Sequence, residues 1–105
     1  MRYYKLKKQA DFDKLFKKGK RLFSSSLMVI YAPSTHTTMG ISVGKRHGKS
    51  VQRNRIKRLI REAFRREMGN VNGTYAFVIV PKVAEEYSFA TFQNDLQWIF
   101  KKAQL

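Results

Sequence analysis

Hydrophobic residues recur with helical spacing in three segments of the chain. Apolar positions at i, i+3 and i+4 alternate with charged ones, which is typical of a helix that buries one face. Gly19 follows the first segment and Gly69 and Asn70 follow the second, so we expect both helices to end there. Ser50 and Ser88 are the expected N-caps of the second and third helices. The apolar stripes are Phe12, Leu15 and Phe16 in residues 9–18; Ile56, Leu59, Ile60, Ala63 and Phe64 in residues 50–68; and Phe92, Leu96 and Ile99 in the last helix.

Three further segments have the pattern of strands. Residues 27–31 and 75–80 are continuous apolar runs ended by Pro33 and Pro81, as expected of strands buried on both faces. Residues 33–38 are polar and predict a hairpin loop. In the strand that follows, Met39, Ile41 and Val43 alternate with Gly40, Ser42 and Gly44. The small residues on the second face predict that another part of the protein approaches it closely.

These elements predict a single α+β domain over residues 1–105, an α/β sandwich in which helices pack on a small mixed sheet. With 43% hydrophobic residues, the chain can form a modest core. Its charged N-terminal segment has no apolar stretch, so we expect no signal peptide. The longest apolar run is far shorter than the roughly 20 residues of a membrane span.

The charge of the chain indicates an anionic partner. Lys and Arg number 22 against 7 Asp and Glu, for a formal net charge of +15. Nucleic acid, an anionic membrane surface and an acidic protein are the candidates, and a folded basic domain favours nucleic acid. The chain contains no cysteine, which excludes disulfides and cysteine metal sites and is compatible with a reducing cytoplasm.

The basic residues concentrate in and just before the second predicted helix. A helical wheel turns the apolar stripe of this helix towards the sheet and most of its charges away. Arginine binds phosphate in a bidentate manner, so the charged face is suited to a polyanion. A solvated face with ion pairs to Glu62, or a helix lying on a membrane surface, are the alternatives. The cations are Lys45, Arg46, Lys49, Arg53, Arg55, Lys57, Arg58, Arg61, Arg65 and Arg66.

Residues 40–64, read as GISVGKRHGKSVQRNRIKRLIREAF, closely resemble the signature of the bacterial ribonuclease P protein family. The centre of the match, residues 53–61, resembles the "RNR" helix of that family, and residues 11–19 resemble its first helix. The resemblance implies the element order α-β-β-β-α-β-α, with a left-handed βαβ crossover around the basic helix. This hand differs from the right-handed crossover that general rules favour.

The resemblance also implies the function. Members of the family are the protein subunit of ribonuclease P, and with the catalytic RNA they promote Mg²⁺-dependent removal of the 5′ leader from precursor tRNA. We therefore expect an enzyme only at the level of the ribonucleoprotein, with catalysis and most Mg²⁺ binding in the RNA. The expected partners are ribonuclease P RNA and precursor tRNA, with no membrane and no required protein partner, in the bacterial cytoplasm.

Two RNA-binding surfaces follow from the resemblance, and it assigns no protein metal site. The aromatics of the first helix have the i, i+4 spacing that is also usual for core residues, and partial burial would reconcile the two interpretations. The resemblance assigns Lys45, Arg46, Arg53, Asn54, Arg55, Lys57, Arg58, Arg61 and Arg65 to the catalytic RNA, and Phe12, Phe16, Val29, Tyr31 and Ser42 to a cleft for the leader.

Three other functions remain open: a structural RNA-binding protein of ribosomal type, a self-sufficient nuclease and a double-stranded DNA-binding protein. The RNR signature argues against the first. No pair of acids has the i, i+3 or i, i+4 spacing that places two carboxylates on one helix face, which argues against the second. No helix-turn-helix spacing supports the third. We expect His36 and His47 at the surface or at phosphates rather than in catalysis.

Overall fold

The computed structural model describes residues 3–105, so the first two residues of the charged N-terminal segment lie outside the described residues. Short 3₁₀ turns at Lys45–His47 and Met68–Asn70 flank the long central helix. The elements are β1 (Tyr4–Lys5), α1 (Gln9–Lys18), β2 (Lys20–Phe23), β3 (Leu27–Pro33), β4 (Thr38–Ile41), α2 (Ser50–Glu67), β5 (Tyr75–Pro81) and α3 (Phe89–Ala103).

The strands form one mixed sheet in the order β1-β4-β5-β3-β2. Strand β5 lies at its centre, antiparallel to β3 and parallel to β4. Because α2 connects two parallel neighbours, β4-α2-β5 is a βαβ crossover. The α+β class and the small mixed sheet are confirmed, and β1 is a strand that the sequence pattern did not reveal.

The hairpin predicted at residues 33–38 is wrong. Strands β3 and β4 are not paired, because β5 lies between them and bonds to both. The apolar run of β5 explains this placement, since a strand that is hydrophobic on both faces belongs at the centre of a covered sheet. The hairpin is formed instead by β2 and β3, which residues 24–26 connect.

The two faces of the sheet carry different helices. Helices α2 and α3 cover one face, where Val29, Phe77 and Ile79 are buried with Phe64. Helix α1 covers part of the other face, where Leu15 packs on Ile30 and Val78. Alternation along β3 and β5 therefore divides their side chains between two separate cores.

The helix ends follow the sequence signals with one exception. The hydroxyl of Ser88 accepts a hydrogen bond from the backbone N–H of Thr91, as predicted for an N-cap. Helix α2 instead has extended Lys49 as its N-cap, and Ser50 is its first helical residue. The Ser50 hydroxyl accepts a hydrogen bond from the side chain of Arg53 at 3.2 Å, so it does not cap the helix backbone.

Asp95 of α3 fastens the turn between β2 and β3. Its Oδ2 accepts hydrogen bonds from the backbone N–H of Ser26 at 2.9 Å, from the Ser25 hydroxyl at 3.1 Å and from the Ser26 hydroxyl. Partial burial raises the pKa of Asp95, but hydrogen bonds from Ser26, Ser25 and Ser24 outweigh it, so the pKa lies below its usual range. The carboxylate form therefore stabilises the folded protein.

We expect Asp95→Asn to lower the free energy of unfolding by about 1–2 kcal/mol at neutral pH, since hydrogen bonds to a charged group are lost. A lowered folded-state pKa contributes stability that is present above the unfolded pKa, about 4, and is lost as the pH falls through the folded pKa. Urea unfolding of the wild-type protein and of Asp95→Asn from pH 7 to pH 3 measures this loss of stability. If the difference in the free energy of unfolding between the two proteins stays constant over that range, the Asp95 carboxylate does not have this stabilising role.

Candidate nucleic-acid interface

Helix α2 divides into a buried face and a charged face. Ile56, Ile60, Ala63 and Phe64 are buried in the core and Leu59 is half-buried, as the wheel predicted. The polar residues of this helix differ in their solvent exposure. Asn54, Arg55, Arg58 and Arg65 are exposed, whereas Arg53, Lys57 and Arg61 are half-buried.

One carboxylate faces this basic surface. Glu62 accepts salt bridges from Arg65 at 2.7 Å and Arg66 at 3.3 Å, and the hydrogen bond from Arg65 is the main cause that lowers the pKa of Glu62. Over residues 3–105 these are the salt bridges found within 4 Å. The Nε of Arg53 is buried and has no hydrogen-bond partner. The positive charge of α2 is therefore largely uncompensated within the described chain.

A cleft of about 180 Å³ lies where α1, β4 and α2 meet. Phe12 of α1 lies against Gly40 of β4, and a Cβ at Gly40 would lie 2.5 Å from the Phe12 ring. This is the close approach that the small residues of β4 predicted. Lys57 and Arg61 of α2 line the other side of the cleft. An aromatic ring and two cations thus share one opening.

The N-terminal strand supplies further residues of this cleft that the sequence analysis missed. The Tyr4 N–H donates to the Thr37 carbonyl at 2.8 Å, and the Leu6 N–H donates to the Met39 carbonyl at 3.1 Å. This pairing places Lys5 in the cleft beside the α2 cations. A two-residue strand is too short to produce a recognisable periodicity. The sequence feature that could have indicated this part of the site is the group of basic residues near the N-terminus.

Tyr3 connects the same strand to the core. Its ring meets the Phe64 ring edge-on, with centroids 5.0 Å apart. Burial raises the pKa of Tyr3, and the positive charges of Arg61 and Arg65 oppose that rise. The edge of the cleft is therefore anchored through an aromatic contact rather than by the two backbone bonds alone.

The predicted leader-binding residues fall into two groups. Phe12 and Phe16 are half-buried on the sheet side of α1, and Ser42 continues the line of Gly40 along the same face. Val29 and Tyr31 are 0% and 9% exposed and lie in the core beneath α2 and α3, so placing them on the cleft floor was wrong. A shift of one residue reverses the face of a strand. The β3 residues that face α1 are Met28, Ile30 and Ala32.

The two histidines differ in their surroundings. His36 is exposed beside Tyr4, with ring centroids 5.3 Å apart, in agreement with a surface position. His47 is only 6% exposed, so the expectation of a surface position is wrong for this residue. Lys45 and Arg46 of the same 3₁₀ turn are exposed and extend the charge of α2 beyond its N-terminus.

The described residues contain no group of three or more His, Asp or Glu side chains placed to hold a metal ion. Among the helices of residues 3–105, none has the length and hydropathy of a membrane span. The described residues provide a ligand with cationic side chains that lie beside aromatic rings. Such a surface binds phosphate backbones electrostatically and stacks on exposed bases.

Comparison with known proteins gives consistent matches. A protein-family model described as Ribonuclease P matches residues 1–104. The "Ribonuclease P protein component" of Clostridium kluyveri is 40% identical over 111 aligned residues, covering 100% of this chain and 98% of that protein. That of Staphylococcus carnosus is 33% identical, covering 97% and 91% of the two chains.

Solved structures agree with this result. The Staphylococcus aureus RNase P protein superposes with a TM-score of 0.83 at 31% identity, covering 97% of this chain and 96% of that one. The RNase P protein from Thermotoga maritima gives a TM-score of 0.83 at 30% identity, covering 93% and 96%. The similarity therefore extends to nearly the whole fold.

Proposed function

Because this chain belongs to the bacterial ribonuclease P protein family, we propose that it binds ribonuclease P RNA through α2 and holds the 5′ leader of precursor tRNA in the neighbouring cleft. In that ribonucleoprotein it serves the 5′ maturation of tRNA, with the chemistry carried by the RNA. The observation that supports this division of labour is the position of α2, whose cations border an aromatic cleft on one side and point outward on the other.

The outward surface suits a folded RNA. Arg55 and Arg58 are exposed and have no carboxylate partner within the described residues, so their guanidinium groups are free to bind phosphates. Arg65 is also exposed but is shared with Glu62, so we expect a smaller contribution from it. The full set assigned to the catalytic RNA is Lys45, Arg46, Arg53, Asn54, Arg55, Lys57, Arg58, Arg61 and Arg65.

The cleft suits a single strand of variable sequence. Stacking on an aromatic side chain contributes about 1–3 kcal/mol per base and is nearly indifferent to which base is bound. Phe12 supplies a ring that lines the cleft. We assign Phe16, one turn further along α1, and Ser42, next to β4, to the path of the leader beside it. Lys57 and Arg61 line the same opening, so we assign them a second role at the leader backbone.

We assign Mg²⁺ mainly to the RNA subunit. Mg²⁺ is usually held by one or two oxygen ligands together with phosphates and waters, and the RNA supplies the phosphates. The protein acts by adding positive charge next to a polyanion, which lowers the repulsion between catalytic RNA and substrate. We therefore expect the requirement for Mg²⁺ to fall when the protein is bound.

Reconstitution tests the proposed function. The purified protein is added to a bacterial ribonuclease P RNA at a Mg²⁺ concentration too low for the RNA alone, and 5′ cleavage of a precursor tRNA is followed. We expect cleavage with both components and none with the protein alone. Tight RNA binding without restored cleavage would support a structural RNA-binding protein, and cleavage by the protein alone would support a self-sufficient nuclease.

Binding measurements on the reconstituted ribonucleoprotein test the proposed path of the leader through Phe16→Ala. We expect binding of precursor tRNA by the ribonucleoprotein to weaken about 10-fold, because one stacking surface is lost. Mature tRNA, which has no leader, should bind with unchanged affinity. Trp98→Ala is the matched control, since Trp98 is a half-exposed aromatic on α3, on the opposite face of the sheet. Equal losses for the two tRNAs would place Phe16 in the core rather than at the leader.

A further inference from the structure

We infer that His47 is a positioning residue, which holds the basic turn before α2 in its RNA-binding shape through hydrogen bonds at both ring nitrogens. This inference rests on the proposed function, because the turn carries Lys45 and Arg46 of the RNA surface. The hydrogen bonds of the His47 ring go to backbone groups of Gly44 and Pro81, and to none of the predicted RNA-binding side chains. Its effect on RNA is therefore exerted through the backbone of the turn.

The imidazole is bonded at both nitrogens. The Gly44 backbone N–H donates to Nδ1 at 3.1 Å, and Nε2 lies 2.7 Å from the carbonyl oxygen of Pro81. Backbone bonds add to this closure, from the His47 N–H to the Gly44 carbonyl at 3.0 Å and from the Gly48 N–H to the Lys45 carbonyl at 3.1 Å. The buried ring thus closes the turn on itself and fastens it to the end of β5.

These partners determine the tautomer of the ring. Because a backbone N–H can only donate, Nδ1 must present its lone pair to Gly44. The Pro81 carbonyl can only accept, so Nε2 carries the proton. Removal of the ring would leave the Gly44 donor and the Pro81 acceptor without this partner in a buried position.

The turn that His47 fastens belongs to a cationic part of the surface. Lys45 and Arg46 lie in the turn itself, Lys49 is the N-cap of α2, and Lys82 follows Pro81 at the end of β5. The neighbouring Gly48 has φ of +110°, a conformation that favours glycine and gives the turn its sharp exit into α2.

The expected effect on RNA binding follows from the two ring bonds. Without them the turn is free to open, and Lys45 and Arg46 are no longer held in one arrangement towards a phosphate backbone. Loss of the equivalent of roughly one buried hydrogen bond corresponds to about 3- to 10-fold in affinity for ribonuclease P RNA.

The experiment measures the dissociation constant for ribonuclease P RNA at pH 8 and constant ionic strength. We expect His47→Leu to bind about 3- to 10-fold more weakly than wild type. His47→Asn keeps an oxygen that can accept from Gly44 and should recover part of the affinity. His36→Gln, a change at the exposed histidine, should bind as tightly as wild type.

Wild-type affinity in His47→Leu, or affinity in His47→Asn no better than in His47→Leu, would overturn the role of His47 alone. Wild-type protein that at pH 8 fails to prefer ribonuclease P RNA over an unrelated structured RNA would overturn the proposed function and this role with it. Circular dichroism of each variant verifies that the fold is retained.

Discussion

Replacing Arg53, Arg58 and Arg61 together with glutamine is expected to weaken binding to ribonuclease P RNA about 100- to 1,000-fold at moderate salt, on the basis of about 5- to 10-fold for each phosphate contact. None of the three has a salt-bridge partner within the described residues, and the hydrogen bond that Arg53 donates to the Ser50 hydroxyl leaves its charge unneutralised. Their charge is therefore available to RNA, whereas that of Arg65 and Arg66 is shared with Glu62.

The salt dependence of binding gives the sharper measurement. If the wild-type protein neutralises about 6–10 phosphates, the slope of log K against log salt is about −5 to −9, and the triple variant should reduce its magnitude by about 3. The matched control replaces Lys17, Lys101 and Lys102 with glutamine, which removes the same net charge from α1 and α3. Equal slopes and equal losses in the two triple variants would mean that overall charge, and not the surface of α2, drives binding.

Phe64→Ala is expected to lower the free energy of unfolding by about 3–5 kcal/mol, which is a large part of the total stability of a domain of this size. Phe64 is 0% exposed and is the point where three parts of the chain meet. Its ring lies 5.0 Å from Tyr3 of the N-terminal segment, 5.3 Å from Phe77 of β5 and 6.2 Å from Phe100 of α3. Removal of the Phe64 ring leaves a cavity in the core, because the three rings around it belong to different segments of the chain that would have to move to fill it.

Phe23→Ala is the matched control for this prediction. The same atoms are removed, but Phe23 is 57% exposed on the edge strand β2, so the expected loss is within about 1 kcal/mol. Urea unfolding monitored by circular dichroism measures both variants. Similar losses at the two positions would indicate that Phe64 is not part of a tightly packed core.

The helices were predictable because the spacing of apolar residues within each segment is enough to indicate a helix. Phe92, Leu96 and Ile99 repeat with the period of a helix, and all three are buried in α3. The cationic face of α2 was likewise visible, since residues that share one helix face are fixed by their spacing alone. For these elements, local pattern and final structure agree because a helix forms its hydrogen bonds within its own segment.

Pairing between strands was not predictable in the same way. Nothing local to residues 33–38 distinguishes a hairpin from a connection that passes over a third strand, so the placement of β5 between β3 and β4 was missed. The resemblance placed Val29 and Tyr31 on the wrong face, and the local pattern could not correct this. A continuous apolar run lacks the alternation that would show which side faces which helix.

His47 shows a third limit. From sequence, a histidine in a basic turn is expected to contact solvent or phosphate. Its burial depends on a carbonyl group at Pro81, which is distant in the chain and adjacent only once β5 has taken its place beside β4. Long-range contacts of this kind have no local sequence signature. They nevertheless determine the shape of the surface on which the basic residues of the turn lie.

The central position of β5 has a consequence for the order in which the protein is made. Translation delivers α2 before β5, yet β5 supplies the hydrogen-bond partner of both β3 and β4 and much of the surface on which α2 packs. Until β5 leaves the ribosome, the sheet cannot close and the apolar stripe of α2 has no complete core to enter. A nascent chain at that stage presents a strongly basic, amphipathic segment within reach of ribosomal RNA. Folding after release of the last third of the chain is therefore the step that withdraws this segment from non-specific RNA.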